Sequence, residues 1–264
     1  MRVITANLNG IRSAANKGFF DWMADQQADL VCLQETKAQE HQLDAAVHYP
    51  EGYHSVFVDA EKKGYSGVAL YSRHAPDRVI RGLGEGFADM DAEGRYVQAD
   101  FGRLSVVSLY LPSGSSGDVR QQVKFSFLER FGERLQQMRK QGREWIICGD
   151  FNIVHKEIDI KNWKSNQKNS GCLPEERAWL DRLFGKWGYL DAFRLVDERA
   201  EQYTWWSNRG QAWAKNVGWR IDYQVISPGL REAVRAAQIY REQRFSDHAP
   251  LIMDYDLTLE AVYT

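Results

Sequence analysis

Asp150 and Asn152 stand two apart just after an apolar run, Trp145–Cys148, that stops at Gly149. In extended backbone, residues two apart face the same way, so a buried strand would deliver a carboxylate and an amide together at its open end. An Asx turn after a strand would give the same pattern. The design recurs at Arg2–Gly10, where an apolar strand is followed by Asn7 and Asn9 and then glycine. Near the C-terminus, Asp247 and His248 precede another apolar run that begins at Leu251. Glu35 closes the apolar stretch Leu30–Gln34. Carboxylate and amide oxygens without thiols or paired histidines favour Mg2+ or Mn2+ over zinc. Glu35, Asn7 and Asp247 are the first candidate ligands, with Asp150, Asn152 and His248 counted beside them. Asp150 and Asn152 can orient and deprotonate a water, and His248 can stabilise charge opposite the metal. This suits attack of water on a phosphodiester, where catalysis is largely positioning and electrostatics. Asp222 is the candidate partner for the His248 imidazole, or else a solvent-facing acid on an edge strand. Tyr110, at the end of Ser108–Pro112, can donate to a phosphate oxygen or simply pack in the core. No serine sits in a nucleophile elbow, so a serine-hydrolase triad is not supported.

The elements that must position these groups are legible as periodic runs. Arg2–Asn7 and Leu30–Gln34 read as buried strands, separated by a helix over about Gly18–Gln26. Lys37–Val47 reads as a polar helix. Ser55–Asp59 and Val68–Ser72 alternate as antiparallel strands, and Gly82–Gly94 reads as a surface loop. Arg95–Phe101 and Leu104–Leu111 form a hairpin through Gly102 and Arg103. A long amphipathic helix capped by Asp118 runs to about Lys140, and a further helix covers Glu175–Trp187. Thr204–Ser207, Ile221–Ile226, Val234–Tyr240 and Leu251–Tyr255 are strands. Strands neighbour strands with helices outside them. This predicts two packed mixed sheets with outer helices, an α/β/β/α sandwich, rather than an alternating βαβ fold. Two halves divided near residue 141 each open with a strand that ends in a polar pair, which suggests pseudo-duplication. No linker interrupts the sequence, so residues 1–264 are expected to form one domain.

The chain has 264 residues, 44% of them hydrophobic, and a net charge of −2, so attraction to a polyanion must come from a local patch. Two stretches qualify. Lys156–Lys168 carries Lys156, Lys161, Lys164 and Lys168 with Asn162 and Asn166 interspersed. Tyr203–Arg220 carries Arg209, Lys215 and Arg220 among Trp205, Trp206, Trp213 and Trp219. Basic residues interleaved with aromatics suit phosphate contact plus stacking, although a charge run is usually a solvated face and some of the tryptophans must be core. The loop Glu61–Gly67 is also basic and carries Tyr65 at its tip. Three unpatterned cysteines and the lack of any membrane-length apolar stretch predict a soluble cytoplasmic protein, and a monomer is expected.

Taken together, the motifs Asn7-Leu8-Asn9-Gly10-Ile11-Arg12, Leu33-Gln34-Glu35-Thr36-Lys37, Gly64-Tyr65-Ser66-Gly67-Val68, Ser108–Pro112, Gly149-Asp150-Phe151-Asn152, Asn166–Gly171, Trp219-Arg220-Ile221-Asp222 and Ser246–Pro250 resemble the exonuclease III family. These are DNA-repair nucleases that act as abasic-site endonucleases and 3′ exonucleases or phosphodiesterases. The resemblance spans nearly the whole chain. It implies a four-layer sandwich with one or two Mg2+ ions on Glu35, Asn7 and Asp247, for which Mn2+ substitutes. It implies Asp150 as base or water positioner, Asn152 and Tyr110 on the phosphate, and an Asp222–His248 pair. Arg12, Lys62, Tyr65, Asn166 and Asn169 fall where family members touch DNA. Trp205, Trp219 and Ile221 fall where they line the pocket for a flipped-out baseless sugar. Trp219 and Ile221 lie two apart on one strand, so Asp222 can reach His248 only if that strand bends or lies at the rim. The implied partner is double-stranded DNA with abasic sites, gaps or 3′ ends. Ser113, Ser116 and Cys172 depart from the family pattern, which bears on substrate preference. The sequence also resembles the catabolite-repression control protein, a non-catalytic relative in RNA-bound complexes that lacks parts of the acidic site. A phosphodiesterase of lipids or small molecules is a third reading, against which the Asn166–Gly171 loop and the tryptophan-rich stretch argue.

Overall fold

A computed structural model describes residues 1–259. The chain begins with β1 (Arg2–Asn7), α1 (Ile11–Asn16), α2 (Phe19–Gln26), β2 (Leu30–Gln34), α3 (Ala45–His48), β3 (His54–Val58) and β4 (Val68–Ser72). Next come β5 (Arg78–Arg81), α4 (Ala88–Asp91), β6 (Tyr96–Phe101), β7 (Leu104–Tyr110), α5 (Asp118–Arg139) and β8 (Glu144–Asp150). It continues with α6 (Trp163–Asn166), α7 (Pro174–Phe184), β9 (Leu190–Asp191), β10 (Trp205–Trp206) and β11 (Gly218–Trp219). The last strands are β12 (Asp222–Ile226), β13 (Val234–Ile239) and β14 (Leu251–Tyr255).

Two mixed six-stranded sheets carry the fold, one ordered β13-β14-β1-β2-β4-β3 and the other β5-β6-β7-β8-β12-β9. Each has one parallel pair, β1 with β2 and β7 with β8, and a helical crossover joins each pair. Apolar residues fill three layers. Val3, Cys32, Val106, Ile146 and Cys148 lie between the sheets. Ile4, Val31 and Ala69 face α2, which buries Phe19, Phe20, Trp22 and Met23. On the far side Val107, Ile147 and Val225 meet α5 and α7. Strands covered on both faces need no alternation, which is why β1 and β2 read as nearly continuous apolar runs. The architecture is the α/β/β/α sandwich expected from sequence.

Several boundaries differ. Lys37–Val47 is not one helix. Lys37 has φ 50, and Gln39 and Leu43 are extended, which leaves a 3₁₀ turn at Glu40–Gln42 and a four-residue α3 capped by Asp44. α1, β5 and the short α4 lie in segments given no element or read as loop. The helix expected over Glu175–Trp187 spans Pro174–Phe184 and stops at Gly185. The strand expected at Ile221–Ile226 is preceded by a break, with β11 ending at Trp219 and β12 starting at Asp222. The division near residue 141 does not separate the sheets, because β5, β6 and β7 precede it yet lie in one sheet with β8, β12 and β9.

A few buried polar side chains register one sheet against the other. Gln34 donates to Ser108 Oγ at 3.0 Å, and that hydroxyl donates to the Leu33 carbonyl at 2.9 Å. Gln224 donates to the Val3 carbonyl at 2.9 Å and accepts from the Tyr255 hydroxyl at 2.9 Å. Apolar contact is non-directional, whereas each such bond fixes a position and costs its full desolvation if broken.

Gly149 lies opposite Leu109 in the β7–β8 pair, and a Cβ there would stand 1.9 Å from the Leu109 carbonyl oxygen. Backbone cannot swing aside as a side chain can. Gly149→Ala should therefore destabilise the protein by ~1–3 kcal/mol or more, read as a lower denaturant midpoint. A midpoint equal to wild type would contradict this close approach.

Candidate active site

The topology brings the polar residues to one end. β1, β2, β7 and β8 finish there, at Asn7, Gln34, Tyr110 and Asp150. β12 runs antiparallel to β8 and starts there, so Asp222 lies opposite Asp150. β14 runs antiparallel to β1, so Leu251 lies opposite Thr5 and Asp247 and His248 enter at the same end. Asn9, Glu35 and Asn152 turn away from their strands with left-handed backbone, φ 44, 49 and 52. Such conformations are uncommon for residues other than glycine and persist only where surrounding bonds impose them. Here the Gly10 amide donates to the Glu35 carbonyl at 2.8 Å, and the Asn152 amide donates to Asp150 Oδ1 at 2.8 Å.

At the centre, Asn7 Nδ2 donates to Glu35 Oε1 and to Asp150 Oδ2, each at 2.9 Å. Its oxygen accepts from the Asn9 amide at 3.0 Å. His248 Nδ1 lies 2.8 Å from Asp222 Oδ2, and its Nε2 lies 3.7 Å from Asp150 Oδ2. The Thr204 hydroxyl accepts the backbone amides of Ile221 and Asp222 at 3.1 Å each, which seats β12 beneath the imidazole. Asp247 accepts from Asn9 Nδ2 and from the Trp205 indole, both at 3.0 Å. Lys37 pairs with Glu35 at 3.1 Å.

Burial, then Asp222 and Glu35, pushes the Asp150 carboxyl up to about 8 against the opposing pull of His248. Burial pulls the His248 imidazolium down, but Asp222 and Asp150 outweigh it and raise the group to about 10. Burial, then Glu35 and Asp150, lifts the Tyr110 hydroxyl well above its usual value and keeps it a donor. Ligand atoms of Glu35, Asp150 and His248 lie within 4.8 Å of one another, a group that could hold a metal ion. Crowded hard oxygens whose mutual repulsion raises a carboxyl suit a divalent cation. Asp247 stands outside that group, held by Asn9 and Trp205.

A cleft of about 1030 Å³ opens over these residues, lined by Glu35, Tyr110, Asp150, Asn152, Asp247 and His248. Asn7 and Asp222 lie behind it, each 1% exposed. Tyr65, Lys168, Asn169, Trp205, Arg209, Trp219 and Ile221 also line it. Arg12, Lys62, Lys164 and Asn166 do not, although Lys62 lies over the Tyr65 ring at 5.4 Å and Asn166 accepts from Asn169 at 2.8 Å. The break before β12 resolves the facing problem, since Trp219 and Ile221 reach the cleft while Asp222 turns to His248. Arg220, counted among the basic residues of the tryptophan-rich stretch, points inward instead. Its Nε donates to Asp159 at 2.8 Å and its Nη2 to Asp191 at 2.6 Å. Trp206 is buried, and Lys156 and Lys161 pair with Asp181 and Glu201.

Sequence reasoning missed Arg95, which is buried beneath the cleft, donates to the Tyr110 carbonyl at 3.0 Å and lies over its ring at 4.6 Å. It also missed Arg120, and it noted Ser113 and Ser116 as departures from the family pattern without placing the Ser113–Gly117 stretch in the cleft wall. No spacing signal marks Arg95, which enters its strand as any surface arginine would.

Residues 4–248 match the profile of the Endonuclease/Exonuclease/phosphatase family, and the chain belongs to that family. It is 38% identical to the exodeoxyribonuclease of Bacillus subtilis, over 95% of this chain and 98% of that protein. It is 36% identical to the DNA repair nuclease APEX1 of Danio rerio, over 96% of this chain and 81% of that one. An AP endonuclease structure from Archaeoglobus fulgidus superposes with a TM-score of 0.87 at 27% identity, covering 97% of this chain and all 100% of the other. The 3′ phosphatase NExo from Neisseria, bound to product DNA hairpin, gives 0.88 at 27% identity, over 97% of this chain and 100% of that one.

The wall formed by Trp219 and Ile221 rests on Arg220 and Asp159, which makes its anchoring pH-dependent. Burial pushes the Asp159 carboxyl up, but Arg220 and Arg194 pull it down to about 2. Its folded pKa thus lies below the unfolded value of about 3.9. The stabilisation is present above about pH 4 and is lost as pH falls toward 2, with a magnitude of roughly 2 kcal/mol. Asp159→Asn should be less stable than wild type at pH 6, and the gap should shrink by about that amount toward pH 2. Denaturant midpoints across that range test this, and a pH-independent gap would contradict it.

Proposed function

We propose that this chain is a divalent-metal-dependent DNA-repair phosphodiesterase that hydrolyses double-stranded DNA at abasic sites, gaps or 3′ ends. The observation that carries the reading is Asp150 at the floor of the cleft, within reach of Asn7, Glu35 and the His248–Asp222 pair. Asp150 accepts the proton of the attacking water. Burial, Asp222 and Glu35 raise its carboxyl, and a divalent cation bound beside it would offset that crowding, keeping it ionised as a base. His248, held as a cation by Asp222, faces the phosphate oxygens with a fixed positive charge. Tyr110 donates to the phosphate. Asn152, its Nδ2 engaged with the Leu111 carbonyl at 2.8 Å, fixes the orientation of the water and phosphate. Glu35 and Asn7, with Asp150 beside them, are the residues proposed to hold Mg2+, or Mn2+ in its place, whereas Asp247, expected as a further ligand, stands outside the Glu35–Asp150–His248 group. When bound, the ion supplies Lewis-acid polarisation of a phosphate oxygen.

Trp205, Trp219 and Ile221 form the proposed wall for a baseless sugar, and Tyr65, Lys168, Asn169 and Arg209 the proposed phosphate contacts. Arg12, Lys62, Lys164 and Asn166 are assigned to the duplex beyond the cleft. We further propose that the chain is one domain, works as a monomer and resides in the cytoplasm. One continuous inter-sheet core supports the first point, and three free buried cysteines agree with the last. Among the described residues no helix is long and apolar enough to cross a membrane. The RNA-regulator alternative has no support, because Glu35, Asp150, Asn152 and Asp247 are all present.

The test compares an internal abasic-site duplex, a recessed 3′ end and a 3′-phosphate, each with Mg2+ and with chelator. Asp150→Asn should lower turnover by roughly 10²–10⁴-fold with substrate affinity little changed. Unchanged turnover with weakened binding would overturn the assignment. Neutralising Lys168, which lines the cleft, should flatten the salt dependence of duplex binding by about one phosphate contact. Lys164, which does not line it, should change the slope less, and the reverse ranking would contradict the proposed path.

A further inference from the structure

Lys124 sits on the apolar stripe of α5, in line with Phe127, Leu128 and Phe131, yet it carries a charge. Its side chain and that of Glu176 on α7 are both 0% exposed and pair at 2.6 Å. Lys124 Nζ also donates to the Asn152 carbonyl at 2.7 Å. Glu176 uses its other oxygen to accept the amides of Gly171 at 2.6 Å and Leu173 at 3.1 Å. Gln121, one turn before Lys124, donates to Glu176 Oε1 at 3.0 Å. The two ends of the ion pair therefore hold two different segments. One is the Asp150–Asn152 turn and the other is the Asn166–Gly171 loop, whose Lys168 and Asn169 line the cleft.

The segments also touch directly. The Val154 amide donates to the Gly171 carbonyl at 2.8 Å. Gly171 has φ 90, and a Cβ there would stand 3.0 Å from the Asn152 carbonyl and 3.0 Å from the Trp219 ring, so glycine suits both the backbone and the close approach of loop, turn and pocket wall. A buried ion pair is weak evidence for stability, since apolar residues of similar volume often serve as well. Phe127, Leu128 and Phe131 show that this face of α5 accepts apolar residues. Placement, rather than stability, is what this pair supplies that leucine would not.

We propose that Lys124 and Glu176 are positioning residues, a clamp that holds the Asn152 turn and the Asn166–Gly171 loop in one fixed relation. The inference rests on the role given above to Asn152 and that loop. Asn152 has left-handed backbone at φ 52, and the bond from Lys124 to its carbonyl fixes that conformer and with it the aim of the Asn152 amide. Misplacement by about 1 Å can cost a catalytic group on the order of 10²-fold in rate.

A kinetic cycle tests this. The variants are Lys124→Met, Asn152→Gly (glycine accepts the same backbone) and the double variant, assayed with Mg2+ on a 3′-phosphate duplex. Turnover and KM are measured well below each thermal midpoint. Lys124→Met should lower kcat by ~10–100-fold with a smaller change in KM, but by less than ~3-fold in the Asn152→Gly background, because residues that act as a unit are non-additive. Lys124→Arg, which keeps the donor, should recover most of the loss. Should Lys124→Met fail to fold, the neutral pair Lys124→Met with Glu176→Gln replaces it in the cycle with the same expectation. A lower midpoint with wild-type kcat, or equal losses in both backgrounds, would overturn the clamp alone. Wild-type kcat in Asn152→Gly would instead overturn the role of Asn152 and the clamp with it.

Discussion

The Asn7 amide joins the two sheets at the one place where their alignment matters most. Its nitrogen reaches Glu35, at the end of β2 in the first sheet, and Asp150, at the end of β8 in the second, with 2.9 Å to each. The core between the sheets is apolar, and non-directional contact of this kind does not by itself dictate one alignment. The polar links from Gln34 to Ser108 and from Gln224 to Val3 remove that freedom, and Asn7 sits at the far end of the same row. Every other distance in the site inherits its precision from this registration, since each sheet supplies only some of the groups. β1 and β14 bring Asn7, Asp247 and His248, whereas β7, β8 and β12 bring Tyr110, Asp150 and Asp222.

Electrostatics then decides what such a site can do. Glu35, Asp150 and Asp222 converge in a region with little water, and the Asp150 carboxyl rises to about 8 as a result. His248 offsets part of this charge, and Lys37 meets Glu35 from the outside. A hard divalent cation offsets more of it than either, without bringing a proton. Such a cation and a phosphodiester complement each other, because the negative charge gathered to hold the one is neutralised before the other arrives. The cleft walls follow the same division, with Trp205, Trp219 and Ile221 apolar on one side and Lys168 and Arg209 charged near them.

The sandwich and the strand-end polar residues were legible in the sequence for one reason. Strands covered on both faces, such as Val3–Ala6 and Ile146–Cys148, stand out as apolar runs, and polar groups at their ends are conspicuous. Family motifs carried the pocket residues further than spacing could. What stayed hidden lies in irregular backbone or buried charge. The break between Trp219 and Asp222 depends on Arg220 turning inward to Asp159, a tertiary partner 61 positions away. Lys37–Val47 looked helical because its residues favour helix, while Lys37 and Gln39 take backbone set by contacts with the Ser66 and Ala60 carbonyls. Arg95 and Lys124 were invisible because a lone basic residue ordinarily means surface. Lys124 did leave a trace, being charged at a position three and four residues before Phe127 and Leu128 on the buried stripe of α5.

Locating the ion tests the central claim most directly. Crystals grown with Mn2+ would reveal it by anomalous scattering. The account predicts a strong peak at the Glu35–Asp150 end of the cleft, bonded to Glu35 oxygen at roughly 2.0–2.3 Å. It also predicts that the peak is lost in Glu35→Gln while Asn7 still bridges the sheets. A peak held elsewhere, or none at Glu35 under saturating Mn2+, would contradict it.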